Sequence, residues 1–244
     1  MAPLSAELAV GPGTIDLVKI AVVCPYDIGK PGGVQDQAVH LVEWLQEAGH
    51  HAWLVAPGEG GPPGTISVGA AANVPINQSV APVAIDIDVP KAVVSAVTDA
   101  DVVHIHEPFV PLVGAAALLG VTPPKVVTFH ADPSSIVRGL YRVGSVLLRR
   151  WAKRAAVVTA VSPVAAAAVA PFAEARIIPN GIDTAAFSGG GQRTPGLVAF
   201  LGRDDPRKGL DVLLAAWPTV KSAVPGAELH VMGANRPDGG PGIV

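Results

Sequence analysis

The chain has 244 residues, half of them hydrophobic, which is enough for one full domain and part of a second. Its 17 Lys and Arg residues against 20 Asp and Glu give a near-neutral charge balance, so no global attraction to nucleic acid or to anionic lipid is expected. The single cysteine, Cys24, excludes an internal disulfide and suits a reducing compartment such as the cytoplasm. Its place at the end of an apolar run predicts a buried thiol, not a nucleophile.

Residues 1–18 lack the basic start and the apolar core of a signal peptide, and we expect them to form a flexible tail. No apolar run reaches the ~18 residues that are needed to span a bilayer.

From Lys19 onward, apolar runs alternate with helical patterns, which is typical of βα units. The sequence therefore predicts an α/β fold with a doubly wound parallel sheet that is covered on both faces. Strands are predicted at Lys19–Cys24, His51–Ala56, Asp101–His106, Lys125–Phe129, Ala156–Val161 and Ala175–Pro179, with weaker ones around Ile66–Val68 and Val83–Ile85. Helices are predicted from about Val34 to Ala48, at Leu112–Leu119 and at Ser135–Arg154.

The predicted domains are an N-terminal Rossmann-like domain at 19–183, a hinge at 184–195 and an incomplete second domain at 196–244. The hinge contains three consecutive glycines and Pro195 and shows no periodicity. The second domain offers strands at Gly196–Leu201 and Ala227–Met232 with one helix from Leu210 between them. The Gly- and Pro-rich stretch Gly233–Val244 is not expected to cover that strand pair.

The loop Asp27–Gly33 should lie at the carboxyl end of the first strand, where open α/β sheets bind ligands. Gly32 and Gly33 let a bound group come close to the backbone, and the helix that follows offers free N–H donors. The alternative is a tight turn between a strand and a helix. Tyr26 fits core packing as well as substrate contact.

A second loop, Gly202–Gly209, joins an apolar strand to an amphipathic helix and carries Arg203 and Lys208. The free N–H groups and the dipole of a helix N-terminus favour an anion, which Arg203 would grip as a fork and Lys208 as a point charge. The alternative is a solvated basic turn paired with Asp204 and Asp205.

The histidines of the strand ends form a third candidate site. His104 and His106 lie two apart on one strand and therefore on one face, and Glu107, His130 and Asp132 are also near strand ends. This composition leaves a metal-dependent hydrolase open as an alternative enzyme, although that enzyme would give the two glycine-containing loops no role.

The predicted helix Ser135–Arg154 is basic and amphipathic. Its cations are Arg138, Arg142, Arg149, Arg150, Lys153 and Arg154. Packing of its apolar residues on the sheet is the first interpretation, and contact with a membrane surface is the second.

Four ordered motifs resemble those of family 4 glycosyltransferases of the GT-B fold. They are the loop 24–35, Val103–Pro108 with Thr128–His130, Ile178–Asp183, and the pattern Gly-Arg-x4-Lys-Gly at 202–209. Their order is most similar to the actinobacterial phosphatidylinositol mannosyltransferase branch, and the resemblance runs from about Lys19 to Gly233.

The resemblance implies a retaining transfer of a sugar, with GDP-mannose as the expected donor, to a lipid or polyol acceptor. It implies that Gly32, Gly33, Arg203 and Lys208 bind the donor and that Tyr26 and Gln35 face the acceptor. His130 would contact the transferred sugar and support the developing positive charge. Because two cations at the departing diphosphate supply the needed charge, no metal or other cofactor is expected. A cytoplasmic protein, peripheral at the inner face of the membrane, is also expected.

The sequence departs from the family pattern at two places. Members carry a Glu-x7-Glu motif in the second half of the C-terminal domain, and no two glutamates here have that spacing. We therefore expect a truncated or split enzyme with little activity alone, to which a partner chain supplies the missing half, or a non-catalytic remnant that binds an acceptor or a partner. The segment Asp86–Lys91 is acidic where the lipid-modifying branch tends to be basic.

Overall fold

The computed structural model describes residues 17–76, 79–130, 133–187, 191, 193–202, 208–233 and 242–243. The chain divides into two compact units, Met1–Gly181 and Ile182–Val244. The predicted tail at 1–18 and hinge at 184–195 fall partly outside the described residues, and the domain boundaries stay a prediction.

Seven parallel strands form the sheet of the first unit. They are β1 (Lys19–Val23), β2 (His51–Ala56), β3 (Ile66–Ser67), β6 (Val102–His106), β7 (Lys125–Phe129), β8 (Val157–Ala160) and β9 (Arg176–Ile177). Their order in the sheet is β3-β2-β1-β6-β7-β8-β9. A separate antiparallel pair consists of β4 (Ala71–Ile76) and β5 (Ser79–Ala84). The predicted parallel α/β sheet is confirmed.

Six helices accompany this sheet among the described residues. They are α1 (Gly33–Glu47), α2 (Val89–Val97), α3 (Gly114–Gly120), α4 (Ser135–Val143), α5 (Ser145–Ala152) and α6 (Pro163–Val169). Helix α1 begins directly after the loop that contains Gly32. Helices α2 and α6 are absent from the sequence-based prediction.

Successive strand residues point to opposite sides of the sheet, and both sides are apolar, so helices pack on both faces. In β1, Val22 packs with Ala38 and Val42 of α1. Its neighbours Ala21 and Val23 belong to the other cluster, to which α2, α3, α5 and α6 contribute. The doubly wound arrangement is therefore confirmed, with most of the described helices on one face.

The predicted long helix 135–154 is two helices, α4 and α5, which meet at Gly144. Glycine is unfavourable inside a helix, and here it caps the end of α4 by donating its N–H to the carbonyls of Leu140 and Arg142.

The expectation that the apolar residues of this segment pack on the sheet holds only for part of it. Leu148 and Trp151 pack against the core, but α4 has no buried residue, and Ile136, Leu140 and Val143 are 75%, 64% and 88% exposed. Among the described residues, no helix combines the length and the apolarity needed to cross a membrane.

The second unit contains the predicted strand, helix and strand. They are β10 (Leu197–Leu201), α7 (Leu210–Ala223) and β11 (Glu228–Met232), with the two strands parallel. Trp217 of α7 packs on Leu229 and Val231, which covers one face of the pair. On the other face Leu201 is 79% exposed, and Leu197 and Met232 are also exposed.

The C-terminal stretch pairs with one strand edge, which the sequence did not predict, while the apolar face with Leu197, Leu201 and Met232 stays exposed, as expected. Residues 242–243 form a short strand, β12, which pairs antiparallel with His230 and Val231 of β11. Backbone pairing of two residues needs no apolar side chain, and composition therefore gave no signal for it.

We expect limited proteolysis to cut the chain near 189–191 and to leave a resistant fragment of about 19–183, because the first unit has a full sheet whereas the second exposes apolar strand residues. Mass spectrometry of a time course would identify the fragment. A full-length chain that resists protease and stays monomeric would contradict this prediction.

Candidate active site

The carboxyl ends of β1, β6 and β7 meet at one edge of the sheet, and the candidate residues follow these ends. Tyr26 and the loop with Gly32 and Gly33 follow β1, Glu107 follows β6, and His130 follows β7. Because β6 lies between β1 and β7, the ends of those two strands are separated by two strand spacings, roughly 10 Å. The structure thus gathers the predicted residues of the first unit at one edge.

His130 is held at two points by the neighbouring strand end. Its Nε2 lies 2.7 Å from Nδ1 of His106, and its backbone N–H donates to Oε1 of Glu107 at 2.7 Å. His106 and Glu107 are both buried. Sequence reasoning placed these residues near one another and missed the role of Glu107, for which the His-Glu-Pro run at the end of β6 was the available signal.

A second hydrogen-bonded chain runs beside the first. Thr159 Oγ1 donates to the carbonyl of Val127 at 3.0 Å, so its only hydroxyl hydrogen is used there. Thr128 must then donate to Thr159, at 2.7 Å, and His104 must donate its Nε2–H to Thr128, also at 2.7 Å. These contacts fix His104 as the tautomer that is protonated at Nε2.

The three imidazoles are neutral at pH 7. Burial lowers the pKa of His130 to about 4, and burial with a smaller effect of His130 lowers the pKa of His104 to about 4. Burial, followed by the neighbouring His104 and His130, lowers the pKa of His106 well below its ordinary value. The rings of His104 and His106 stack with their centroids 4.9 Å apart, so a charge on either ring would repel a charge on the other.

The histidine part of the metal-dependent alternative has no geometric support. Among the described residues, no group of three His, Cys, Asp or Glu side chains is placed to hold a metal ion. Nδ1 of His106 and Nε2 of His130 face each other at hydrogen-bond distance instead of converging on a common point. Asp132, the fourth member of that set, lies outside the described residues.

Gly32 and Gly33 differ in what surrounds them. A side chain at Gly32 would collide with the amide of Gln35, whose Nε2 also donates to the carbonyl of Asp27 at 3.4 Å. A Cβ added at Gly33 would meet nothing within 4 Å, so protein packing does not explain this glycine. The structure places Gln35 in a buried position against its own loop, and its contact with an acceptor stays a prediction.

Tyr26 lies beside the same loop, bridging to Val83 of β5. Burial, and then the Glu107 carboxylate, raise the pKa of Tyr26 far above its usual range, and the same two causes raise the pKa of Tyr141. Glu107 is therefore electrostatically coupled to two tyrosines as well as bonded to His130.

Cys24 is fully buried, and burial raises its thiol pKa to about 12, which confirms the expected inert thiol.

A cavity of about 250 Å³ lies between α1 and the histidine-bearing face of the sheet. Its lining includes Leu41 and Trp44 of α1, the three histidines, and the segment 178–181. That segment is tied to α1, because Gln37 Nε2 donates to the carbonyl of Gly181 at 3.0 Å and the Trp44 ring lies against Gly181. The first residues of the Ile178–Asp183 motif thus belong to the first unit, where they contact α1.

In the second unit, Lys208 is exposed and directly precedes Gly209, the left-handed N-cap of α7. Gly209 has no side chain that could cap the first turn of α7, and within the described part of the chain no side-chain cap is present there. Arg203 lies outside the described residues, and the pairing of Arg203 with Lys208 stays a prediction.

The buried imidazoles should make stability depend on pH. Their folded pKa values lie below the ordinary value of 6.5, so the unfolded chain binds more protons between pH 6.5 and about 4. Their contribution is fully present above pH 6.5 and is lost as the pH falls toward 4. Each titrating imidazole steepens this fall by about 1.4 kcal/mol per pH unit.

Urea unfolding of the His106→Phe variant at several pH values between 7 and 4.5 would test this. We expect a shallower loss of unfolding free energy than in the wild type, because phenylalanine keeps a buried ring and does not titrate. His51→Gln, which removes an exposed imidazole, is the control. Equal pH slopes for wild type and His106→Phe would show that His106 is not a buried neutral base.

Comparison with known proteins places this geometry in context. The sequence model of Glycosyltransferase Family 4 matches residues 31–186. The phosphatidyl-myo-inositol mannosyltransferase of Mycolicibacterium smegmatis is 34% identical over 91% of this chain and 60% of its own length. The enzyme of the same name from Propionibacterium freudenreichii is 33% identical over 89% of this chain and 62% of its own length. The chain thus spans about three fifths of these curated relatives.

Solved structures show the same fold. Anabaena HepE, solved in complex with UDP-glucose, has a TM-score of 0.62 at 18% identity, covering 89% of this chain and 61% of that one. Sucrose-phosphate synthase from Thermosynechococcus elongatus has a TM-score of 0.60 at 18% identity, covering 91% of this chain and 63% of that one. Both likenesses support the GT-B fold class. The family model matches more than half of the residues of this chain, and the chain therefore belongs to glycosyltransferase family 4.

Proposed function

We propose that the chain is the acceptor-side domain and part of the donor-side domain of a retaining glycosyltransferase. It would move a hexose, with GDP-mannose as the first donor to test, to a lipid or polyol acceptor. The observation that carries this proposal is the neutral His130, held at the carboxyl edge of the sheet two strands away from the open Gly33. Family membership and the mannosyltransferase relatives support the reaction type.

A neutral imidazole suits a sugar transfer. The transition state of such a reaction carries positive charge on the sugar ring, and a protonated histidine beside it would repel that charge. Burial keeps His130 uncharged at pH 7 because its pKa is lowered to about 4. Its role would be to orient the sugar and to accept or donate a hydrogen bond, without acting as a cation.

Gly33 would let the donor approach the first turn of α1. The N-cap of this helix is Gly32, which contributes no capping side chain, so the first N–H groups remain available to a phosphate or a sugar hydroxyl. An added side chain at Gly33 would project into open space and not into protein. The absence of a side chain at this position would leave room for the donor beside the helix N-terminus.

Lys208 and Arg203 would neutralise the departing diphosphate, so this proposal needs no metal ion or other cofactor. Lys208 is exposed at the start of α7, so its ammonium group is accessible to a phosphate. Tyr26 and Gln35 would contribute to the acceptor side at the β1 loop.

Replacing both Arg203 and Lys208 by Ala should weaken binding of GDP and GDP-mannose, because each charge-assisted contact contributes about 1.5–3 kcal/mol. Calorimetric titration would measure this on the chain as it stands and on the chain joined to the C-terminal remainder of the M. smegmatis relative. Lys221→Ala, in the last turn of the same helix, is the matched control. Unchanged donor affinity in the double variant would remove the diphosphate assignment.

The second candidate is a non-catalytic remnant that binds an acceptor or a partner chain. It is favoured by the exposed apolar face of β10 and β11, where Leu197, Leu201 and Met232 have no cover among the described residues. A partner chain with a complementary apolar surface would cover such a face. Sugar transfer that appears only when the C-terminal remainder of the M. smegmatis relative is added would favour a split enzyme, and absence of transfer in both cases would favour the remnant.

The acceptor side includes a surface suited to a membrane. From Ser135 to Arg154 the sequence has six Arg or Lys residues and no Asp or Glu, although the whole chain has a formal net charge of −3. Ile136, Leu140 and Val143 recur at helical spacing on α4 and are exposed, and Val146 and Leu147 extend the exposed apolar row into α5. We place the protein in the cytoplasm, with this helix pair in peripheral contact with the anionic inner face of the membrane.

Liposome flotation should show salt-sensitive binding to anionic vesicles that is lost when Arg149, Arg150, Lys153 and Arg154 are changed to Gln. The expected contribution is about 1 kcal/mol per cation near the surface. The control changes Lys91, Arg176, Arg193 and Lys221 to Gln, which lowers the net charge equally at positions outside α4 and α5. Binding that survives the first set of changes would place the membrane contact elsewhere.

A further inference from the structure

The end of β6 and the end of β7 are held in a fixed relation by parallel pairing. His106 pairs with Thr128, so His130 lies two residues further along the chain, just past the end of β7, with its side chain on the same face as that of Thr128. The two residues at the end of β6, His106 and Glu107, are therefore the nearest neighbours that the fold provides for His130.

The contact between the two rings can be assigned a direction. One hydrogen lies between Nδ1 of His106 and Nε2 of His130, and the other nitrogen of His106, Nε2, is buried with no partner among the described residues. If His130 were the donor, His106 would carry its hydrogen on that buried Nε2 as an unpaired N–H. Buried unpaired donors are rarer than buried unpaired acceptors, so His106 donates from Nδ1 and His130 accepts at Nε2.

This direction sets the tautomer of His130. A neutral imidazole that accepts at Nε2 carries its hydrogen at Nδ1. The opposite side of the His130 ring is then a hydrogen-bond donor.

The backbone of His130 is held separately. The carboxylate of Glu107 accepts its N–H at 2.7 Å, and Glu107 adopts a left-handed backbone conformation with φ of 47°. Residues other than glycine, asparagine and aspartate rarely adopt this conformation. A glutamate there, with its carboxylate buried, is unfavourable unless its contacts compensate for it.

Packing alone would be served better by other residues at both positions. A phenylalanine at 106 would fill the buried space without an unpaired nitrogen, and a glycine at 107 would adopt the left-handed conformation without strain. The unfavourable features occur together at the one strand end that contacts His130, which is typical of a functional site.

We infer that His106 and Glu107 are positioning residues that hold His130 in one orientation and in one tautomer, protonated at Nδ1. The importance of these two contacts for sugar transfer rests on the proposed function above. The contacts themselves do not depend on it.

Long-range 1H–15N correlation spectra of the full chain with 15N-labelled histidine would test the tautomer. The spectrum of His130, identified by its loss in His130→Gln, should show a protonated Nδ1 and an unprotonated Nε2. His106→Asn can place an amide N–H near the former Nδ1 and should keep this pattern, whereas His106→Phe should lose it. A wild-type His130 protonated at Nε2, or a pattern unchanged in His106→Phe, would overturn the inference.

Hydrogen exchange of the His130 amide would test the backbone contact. In Glu107→Gln the side-chain carbonyl still accepts the N–H, so exchange should stay slow, whereas in Glu107→Ala it should become at least about tenfold faster. The Val161 amide, which donates to the carbonyl of Phe129 at the next strand end, is the internal control. Equal exchange of the His130 amide in the wild type and in Glu107→Ala would overturn the role of Glu107.

Transfer activity separates this inference from the proposed function. In the chain joined to the C-terminal remainder of the M. smegmatis relative, His130→Ala should abolish mannose transfer, and His106→Phe should lower kcat more than it changes KM for the donor. If the tautomer is confirmed but transfer activity is unchanged in His130→Ala, the proposed function is refuted. The positioning of His130 by His106 and Glu107 would still stand.

Discussion

The candidate site depends on the register between β6 and β7. His106 stands opposite Thr128, and His104 stands opposite Val126, which aligns the histidines and threonines of the two strands on one face. Because side chains alternate with a period of two, a slip of one residue in β7 would turn Thr128 and His130 toward the face that carries Ile105 and Phe129. The apolar packing of Ile105, Val127 and Phe129 with the helices on that face fixes the register, and the polar contacts on the other face follow from it.

The interior of this site is polar and largely buried, an arrangement that is unfavourable unless the groups satisfy one another. Thr128 and Thr159 are buried and bonded to each other, and Thr159 is bonded in turn to the carbonyl of Val127. Three neutral imidazoles beside them avoid the larger penalty of a buried charge. The polar side chains at this end of the sheet therefore form two hydrogen-bonded chains, in which Nε2 of His106 is a buried nitrogen without a partner among the described residues.

The main strands could be predicted from sequence because each is a continuous apolar run between turn residues. The hairpin of β4 and β5 was predicted only in part, because Pro75 and Pro82 argue against a strand. This pair is separate from the main sheet and tolerates proline where a central strand would not. The break at Gly144 was missed because the helical period of the apolar residues continues through it.

The placement of the candidate residues at one edge of the sheet could be predicted, but part of their chemistry could not. The spacing of His104, His106 and His130 brings the three rings together, and both a metal site and a hydrogen-bonded cluster satisfy that spacing. Which one forms depends on side-chain torsions, which the sequence does not encode locally. The same holds for Gln35. Its position after the glycine pair was evident from the sequence, but the hydrogen bond from its Nε2 to the carbonyl of Asp27 depends on the fold of the loop.

The chain of bonds from His104 through Thr128 and Thr159 has a further consequence. Each hydroxyl gives its one hydrogen in the same direction, and the chain ends on the carbonyl of Val127, a group that accepts hydrogen bonds and has no hydrogen to pass on. A proton that entered at His104 would find no exit at the other end. This chain of hydrogen bonds therefore has a structural role and cannot conduct a proton. It fixes the ring of His104 to the strands β7 and β8, and any proton movement in the site must follow another route.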